Sequence, residues 1–284
     1  MLLETLAGLS FTTLLLVIIM AWPMSFARPW KLMNDRIGQG AAIQILEALL
    51  KHEVQHAGFY GCGTSISAPP PLLVPGLAIY PQTTTGLPSW QTEALNRASP
   101  GTPVLLVQYL NPEQQWYASP THIQWLSDTQ LELALAHPLD ALEVNQTVIL
   151  SDCDRHLNLN IQSVQLGATW FTLTASAPVA MDTQQAFTAA NFSTTPVLIA
   201  LPVQRMFYLA RSSLTDEAGS KLSHLYVKDY DRSASAIMDG IEAWELSLQT
   251  SPSSAFQLLN IRAALKTYTG GSETVDYVAA AYHL

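Results

Sequence analysis

The segment that most constrains this chain runs from Thr5 to Trp22, TLAGLSFTTLLLVIIMAW, eighteen residues without a charge. Coiled into a helix it would span about 27 Å, close to the hydrocarbon core of a bilayer. Pro23 follows at once, at a point where a ring lacking an N–H bends or ends a helix. The alternative is a cleaved secretory signal, with small residues around Ser25-Phe26-Ala27. Such signals open on a basic stretch, and here no Lys or Arg precedes Arg28. Glu4 stands there instead, and a carboxylate at a membrane helix end calls for a partner or an interfacial position. The segment reads as a retained anchor.

The pattern beyond Pro23 extends that reading. Over residues 34–56, Ile37, Ala41, Ile45 and Leu49, with Ala42 and Leu46 beside them, recur at the period of a helix with one buried face. Glu47 and Lys51 form an i,i+4 pair, and Gly58 is a natural stop. One long, bent helix is therefore expected over residues 1–57, its first half in a membrane and its second half amphipathic. Residues 58–103 read as a Cys/Pro-rich connection, including Ala68-Pro69-Pro70-Pro71. Residues 104–284 read as a β-rich globular domain. Its strand-like runs are Val104–Leu110, Val148–Ser151, Trp170–Ala175, Val197–Leu209, His224–Tyr230, Trp244–Gln249, Phe256–Lys266 and Val275–Tyr282, rich in β-branched and aromatic residues. The expected class is α+β, a long N-terminal helix packed on a largely antiparallel sheet.

Composition narrows the function. Of the 284 residues only 12% are charged, and the net charge is -9. A nucleic-acid binder needs a basic stripe to neutralise phosphates, and none is present. No glycine-rich phosphate loop appears and no cofactor is implied. The two cysteines, Cys62 and Cys153, fit either a disulfide in an oxidising compartment or two buried thiols in a reducing one.

Four features together resemble the PilW-type minor pilins of Gram-negative type IV pili. Leu2-Leu3-Glu4-Thr5-Leu6 resembles the start of a mature pilin, where a glutamate precedes the apolar run. Gln55-His56-Ala57-Gly58-Phe59-Tyr60-Gly61-Cys62 is similar to the family's Q-A-G-Y-x-G-C signature. Gly101-Thr102-Pro103-Val104-Leu105 and Ser151-Asp152-Cys153 resemble its G-T-D-V-L strand and second cysteine. Met238-Asp239-Gly240-Ile241-Glu242, followed by Asn260-Ile261-Arg262-Ala263-Ala264-Leu265, resembles its C-terminal pair of motifs.

The resemblance implies a non-enzymatic filament subunit. Glu4 would pair with the N-terminal amine of a neighbouring subunit, offsetting the burial of both charges. Residues 5–22 would serve as membrane anchor and then as filament core, with the helix kinked at Pro23. Cys62 and Cys153 would form a disulfide. The implied partners are other minor pilins, the major pilin and a prepilin peptidase. The implied location is the inner membrane with a periplasmic domain, then the pilus at the cell surface, where filaments serve adhesion and twitching motility. A minor pseudopilin of a type II secretion system shares the plan and is the related alternative.

One motif points to a different class. His52-Glu53-Val54-Gln55-His56 is a complete H-E-x-x-H, which on a helix sets two histidines on one face to bind zinc, with Glu53 as general base. A membrane-anchored zinc metalloprotease is therefore the competing expectation. It needs a third ligand, and Phe59 stands where the extended form of the motif has glycine. Glu93 is a candidate, although it lies in the Pro/Thr-rich connection. Weaker constellations are Cys153 near His156, the acids Asp229, Asp231 and Asp239 without EF-hand spacing, and the tryptophans Trp90, Trp116 and Trp125, read as packing residues.

Overall fold

The computed structural model describes residues 40–41, 43–61, 73, 75–118, 123–126, 130–135, 142–151, 156–166, 171–176, 197–215, 219–250, 256–266 and 272–282. Helix α1 is described over residues 40–41 and 43–56, and helix α2 covers Ser89–Arg97. The strands are β1 (Leu77–Tyr80), β2 (Val104–Ala118), β3 (Ile123–Trp125), β4 (Gln130–Leu135), β5 (Thr147–Ser151), β6 (His156–Leu166) and β7 (Phe171–Ser176). They continue as β8 (Val197–Thr215), β9 (Lys221–Asp229), β10 (Ser235–Asp239), β11 (Ile241–Thr250), β12 (Phe256–Lys266) and β13 (Ser272–Tyr282).

This architecture corrects the expected α+β class. Thirteen antiparallel strands are described against two short helices, so the chain is predominantly β. Among the described residues no helix is long and apolar enough to cross a membrane, so the transmembrane expectation gains no support. Glu4, residues 5–22 and Pro23 lie outside the described residues. The physical reason for the shift in class lies in segments that looked too polar to be strands. In β6, Leu157, Leu159 and Ile161 are buried, while Asn158 and Asn160 occupy the alternate face. That period of two makes a half-buried strand from polar-looking sequence.

One sheet holds ten strands in the order β1-β2-β8-β5-β6-β7-β4-β3, with β9 and then β10 branching from β8; the other is β11-β12-β13. Strand β8 organises the first sheet because its 19 residues serve several partners. One edge carries β2. The opposite edge carries β5 at Leu198–Ala200 and β9 from Arg205 onward.

Helix α1 lies where the two sheets meet. Its Leu46, Leu50, Val54 and Ala57 join Leu105, Val107 and Tyr109 of β2, Phe207 and Leu209 of β8, and Ile241, Ile261 and Leu265 of the small sheet in one core. The buried stripe therefore runs through 46, 50, 53, 54 and 57, one step round from the expected Ala41–Ile45–Leu49 line, and Ile45 is 59% exposed. Fixing a helix this short in place depends on this packing, since isolated short helices are marginal in water.

The end of α1 is built for a tight turn. Gly58 has φ 75°, a left-handed conformation that glycine adopts without strain. A Cβ on Gly76 would come within 2.5 Å of the Gly58 backbone, so the two glycines allow the chains to touch. Gly58 N–H then donates to the Gln108 carbonyl (3.0 Å) and Leu110 N–H donates to the Phe59 carbonyl (2.7 Å). Residues 58–60 thereby stitch the helix exit onto β2, beyond the point where β1 pairs with it.

Candidate functional site

The site begins with a charge placed where strand alternation demands an apolar residue. Arg205, Phe207 and Leu209 share one face of β8, opposite Asp229, Val227 and Leu225 of β9. Phe207, Leu209 and Leu225 belong to the core beneath α1, so that face is covered by the helix. Arg205 extends the same face at its rim, and a guanidinium there needs anionic partners.

Two carboxylates supply them. Arg205 Nε donates to Asp229 Oδ1 at 2.9 Å, from the residue directly across the strand pair. Its Nη1 donates to Oε1 of Glu53, which projects from the buried stripe of α1 and is only 1% exposed. Tyr109 of β2 donates its hydroxyl to the second oxygen, Glu53 Oε2, at 3.1 Å. Burial works against the Arg205 charge, but the two carboxylates outweigh it and raise the guanidinium above its ordinary value. The Tyr109 hydroxyl is pushed up, first by burial and then by the Glu53 charge. The result is a four-residue network joining α1, β2, β8 and β9.

This network decides what the H-E-x-x-H residues can do. Both oxygens of Glu53 are engaged inward, by Arg205 and Tyr109. His52 lies on the outer rim with its Nδ1 3.6 Å from Glu53 Oε1, its side chain half exposed. His56 Nδ1 faces the His52 carbonyl at 2.7 Å, and the two rings lie 4.6 Å apart. Metal-assisted hydrolysis requires the glutamate free beside a metal-bound water, together with a third ligand. Among the described residues no group of three His, Cys, Asp or Glu side chains is placed to hold a metal. Glu93 lies on α2, correcting its assignment to an irregular connection, and pairs with Arg97 and Lys228. The arrangement docks the helix onto the sheet.

The other sequence candidates separate. Cys62 and Cys153 lie outside the described residues, and no disulfide occurs among those described, so the expected staple gains no support. Asp229 belongs to the network, whereas Asp239 sits 3.1 Å from His224 Nε2 on the β9–β10 pair. Trp90 packs into a satellite core with Leu106, Met206 and Tyr208, and Trp116 packs against the aliphatic core of the distal strands. The side chain of Trp125 is outside the described set.

A cleft of about 430 Å³ opens beside the network, with Arg205 and Asp229 in its wall. Neither Arg205 nor Asn158 nor Asn160 stood out in the sequence as a site residue. A lone arginine inside the apolar run VLIALPVQRMFYLA was the available signal, because only 13 Lys and Arg serve the whole chain. Comparison with family models, characterised proteins and solved structures finds no match to this chain.

Proposed function

We propose that the chain is a structural, non-catalytic subunit of the minor-pilin kind, acting through contacts with other subunits. The observation that carries this reading is a convergence of the sequence features that resemble those pilins. The motif at the end of the helix (Ala57, with Phe59 packed alongside), the strand entered after Gly101-Thr102-Pro103 (Leu105) and the C-terminal motif pair (Ile241 with Ile261, Ala263 and Leu265) contribute to one core. Ile241 is paired directly with Leu265 across β11 and β12. Motifs far apart in sequence thus serve one purpose, seating α1 in the seam between two sheets. The inward engagement of Glu53 supports the non-catalytic side of the proposal.

On this reading the partners are other minor pilins and the major pilin. The β-rich part occupies the cell envelope before reaching the surface with the filament. The acidic balance of the chain, -9, is consistent with a protein that does not engage nucleic acid.

The test is to tag the full chain in its own host, shear off surface filaments, and cross-link them before mass spectrometry. The proposal expects the chain in the filament fraction, cross-linked to pilins, and a fall in filament number when its gene is deleted. Filaments unchanged in number and lacking the chain would overturn it. Intact filaments with blocked protein secretion would assign it to the pseudopilin alternative.

A further inference from the structure

The cleft arises from a defect in the sheet. On one edge of β8, β5 ends its pairing at Ala200 and β9 begins at Arg205, so residues 201–204 have no strand on that side among the described residues. On the other edge the register of β2 breaks between Leu110 and Gln115, opposite Pro202 and Ala200. Residues 111–114 stand opposite Leu201 alone, so the break is an irregular, larger bulge of the kind that re-aims side chains. The sheet therefore opens around Pro202, whose missing N–H makes a gap in the ladder inexpensive there.

What lines the opening is unusual for a surface depression. Asn111 and Gln114 come from the bulge, held together by a 2.8 Å bond from Asn111 Nδ2 to Gln114 Oε1. Asn158 and Asn160 come from the outward face of β6. Tyr230, 51% exposed, stands at the end of β9, its ring edge-on to buried Trp90 at 5.7 Å and 89°. Asn158 and Asn160 each bring a donor and an acceptor, whereas Asn111 spends part of its capacity on Gln114 and on the Glu113 N–H (3.0 Å) and keeps one N–H and one lone pair. A fixed, half-exposed phenol ring presents an apolar face with a polar tip.

We propose that this cleft binds a neutral carbohydrate of about disaccharide size. Vicinal hydroxyls are each donor and acceptor, which matches amides better than it matches single-sign charges. The C–H face of a pyranose fits a half-exposed aromatic ring. An anionic ligand is the poorer match, because multiple free cations recognise anions and Arg205 is already held by Glu53 and Asp229. The wall carries two arginines, Arg205 and Arg232, and two aspartates, Asp229 and Asp231, so its formal charges cancel. A peptide adding as a strand along residues 201–204 would meet Pro202, which donates nothing, and the Gln204 carbonyl, which already accepts from Tyr230 N–H at 3.1 Å. The volume lies within the ~300–1,000 Å³ typical of small-ligand clefts. The proposal is independent of the filament reading, since a sugar site can serve any envelope protein.

The test uses the purified full chain and a panel of neutral disaccharides (maltose, cellobiose, lactose and chitobiose), titrated to millimolar concentration by calorimetry and saturation-transfer NMR. At least one is expected to bind, with Tyr230→Ala weakening it about tenfold, the scale of one stacking contact. Tyr230→Phe is expected to retain most of the affinity. The Asn158→Ala/Asn160→Ala pair should weaken binding without shifting the thermal midpoint, which checks that the fold is intact. Failure of every neutral sugar to bind, binding that survives these variants, or binding of phosphate or sialylated sugars alone would each overturn the assignment.

Discussion

Two arginines in this molecule sit between two carboxylates, and only one of them holds the structure together. Arg205 lies between Glu53 and Asp229, with side-chain exposures of 33%, 2% and 25%. Arg262 lies between Asp276 and Glu245, with exposures of 60%, 66% and 78%. The chemistry is the same, and Arg262 even makes the shorter strand-to-strand contact, 2.7 Å to Asp276 against 2.9 Å from Arg205 to Asp229. The surroundings differ. Around Glu53 water is replaced by α1 and the sheet, and Arg205 is two-thirds covered, so removing one partner leaves the others poorly solvated. Around Arg262 water and salt take over whatever is lost. Burial, not the ion-pair count, decides the outcome.

The comparison can be broken most directly at Glu53. Glu53→Ala removes the anion from α1 and leaves the Tyr109 hydroxyl and one side of Arg205 unpaired. It is expected to cost about 3–5 kcal/mol in urea unfolding of the full chain. Replacing Leu50, 1% exposed on the same stripe, by Ala should cost about 2–5 kcal/mol through lost burial alone, and adding zinc should restore neither variant. Tyr109→Phe keeps the packing and deletes one bond to a charged acceptor, with an expected loss of about 1–3 kcal/mol. At the other end of the scale, Arg262→Ala should leave the thermal midpoint within scatter, with any shift vanishing in molar salt.

Alkaline pH sharpens the contrast between buried and exposed groups. Burial pushes the Tyr60 hydroxyl up to about 12, and Tyr109 is raised as well. In the unfolded chain both ionise near ~10, so the unfolded state loses its protons first. Their contribution is therefore complete below about pH 10 and is lost as pH rises through the folded values. Unfolding followed from pH 9 to 12 should steepen above 10, and the slope should flatten in Tyr60→Phe. Tyr60→Phe also deletes the bond to the Leu73 carbonyl at 3.0 Å, so its baseline stability at neutral pH should fall slightly.

Much of the β framework was legible in the sequence. Phe256–Lys266 matches β12 end to end, and each of the eight expected runs overlaps a strand, with Trp170 outside the described residues and Tyr230 just past β9. Those runs are dense in branched and aromatic residues, so local preference and burial agree. Strand β6 was missed because its outward positions are asparagines, and amides resemble loops unless the alternate leucines are counted. Helix α2 was missed because Pro88 and the surrounding Thr and Gly suggest turns, although proline just ahead of a helix and the Glu93–Arg97 pair were both start-and-stay signals. The α1 stripe is hard to phase because Ile45 is exposed while Glu53, a charged residue, is buried. Counting it as buried would have shifted the face to 46, 50, 53 and 57. Arg205 stayed invisible because its partners are 152 and 24 residues away. No local pattern encodes such a pairing.

Glu53 docks α1 onto β8, and a double-mutant cycle measures that link. Glu53→Met, Arg205→Met and the double variant would be unfolded in urea under one set of conditions. Each single change should be strongly destabilising and the double change much less so than their sum, a coupling of about 2 kcal/mol or more. Additive losses would contradict the account, because they would mean that the two charges do not hold each other.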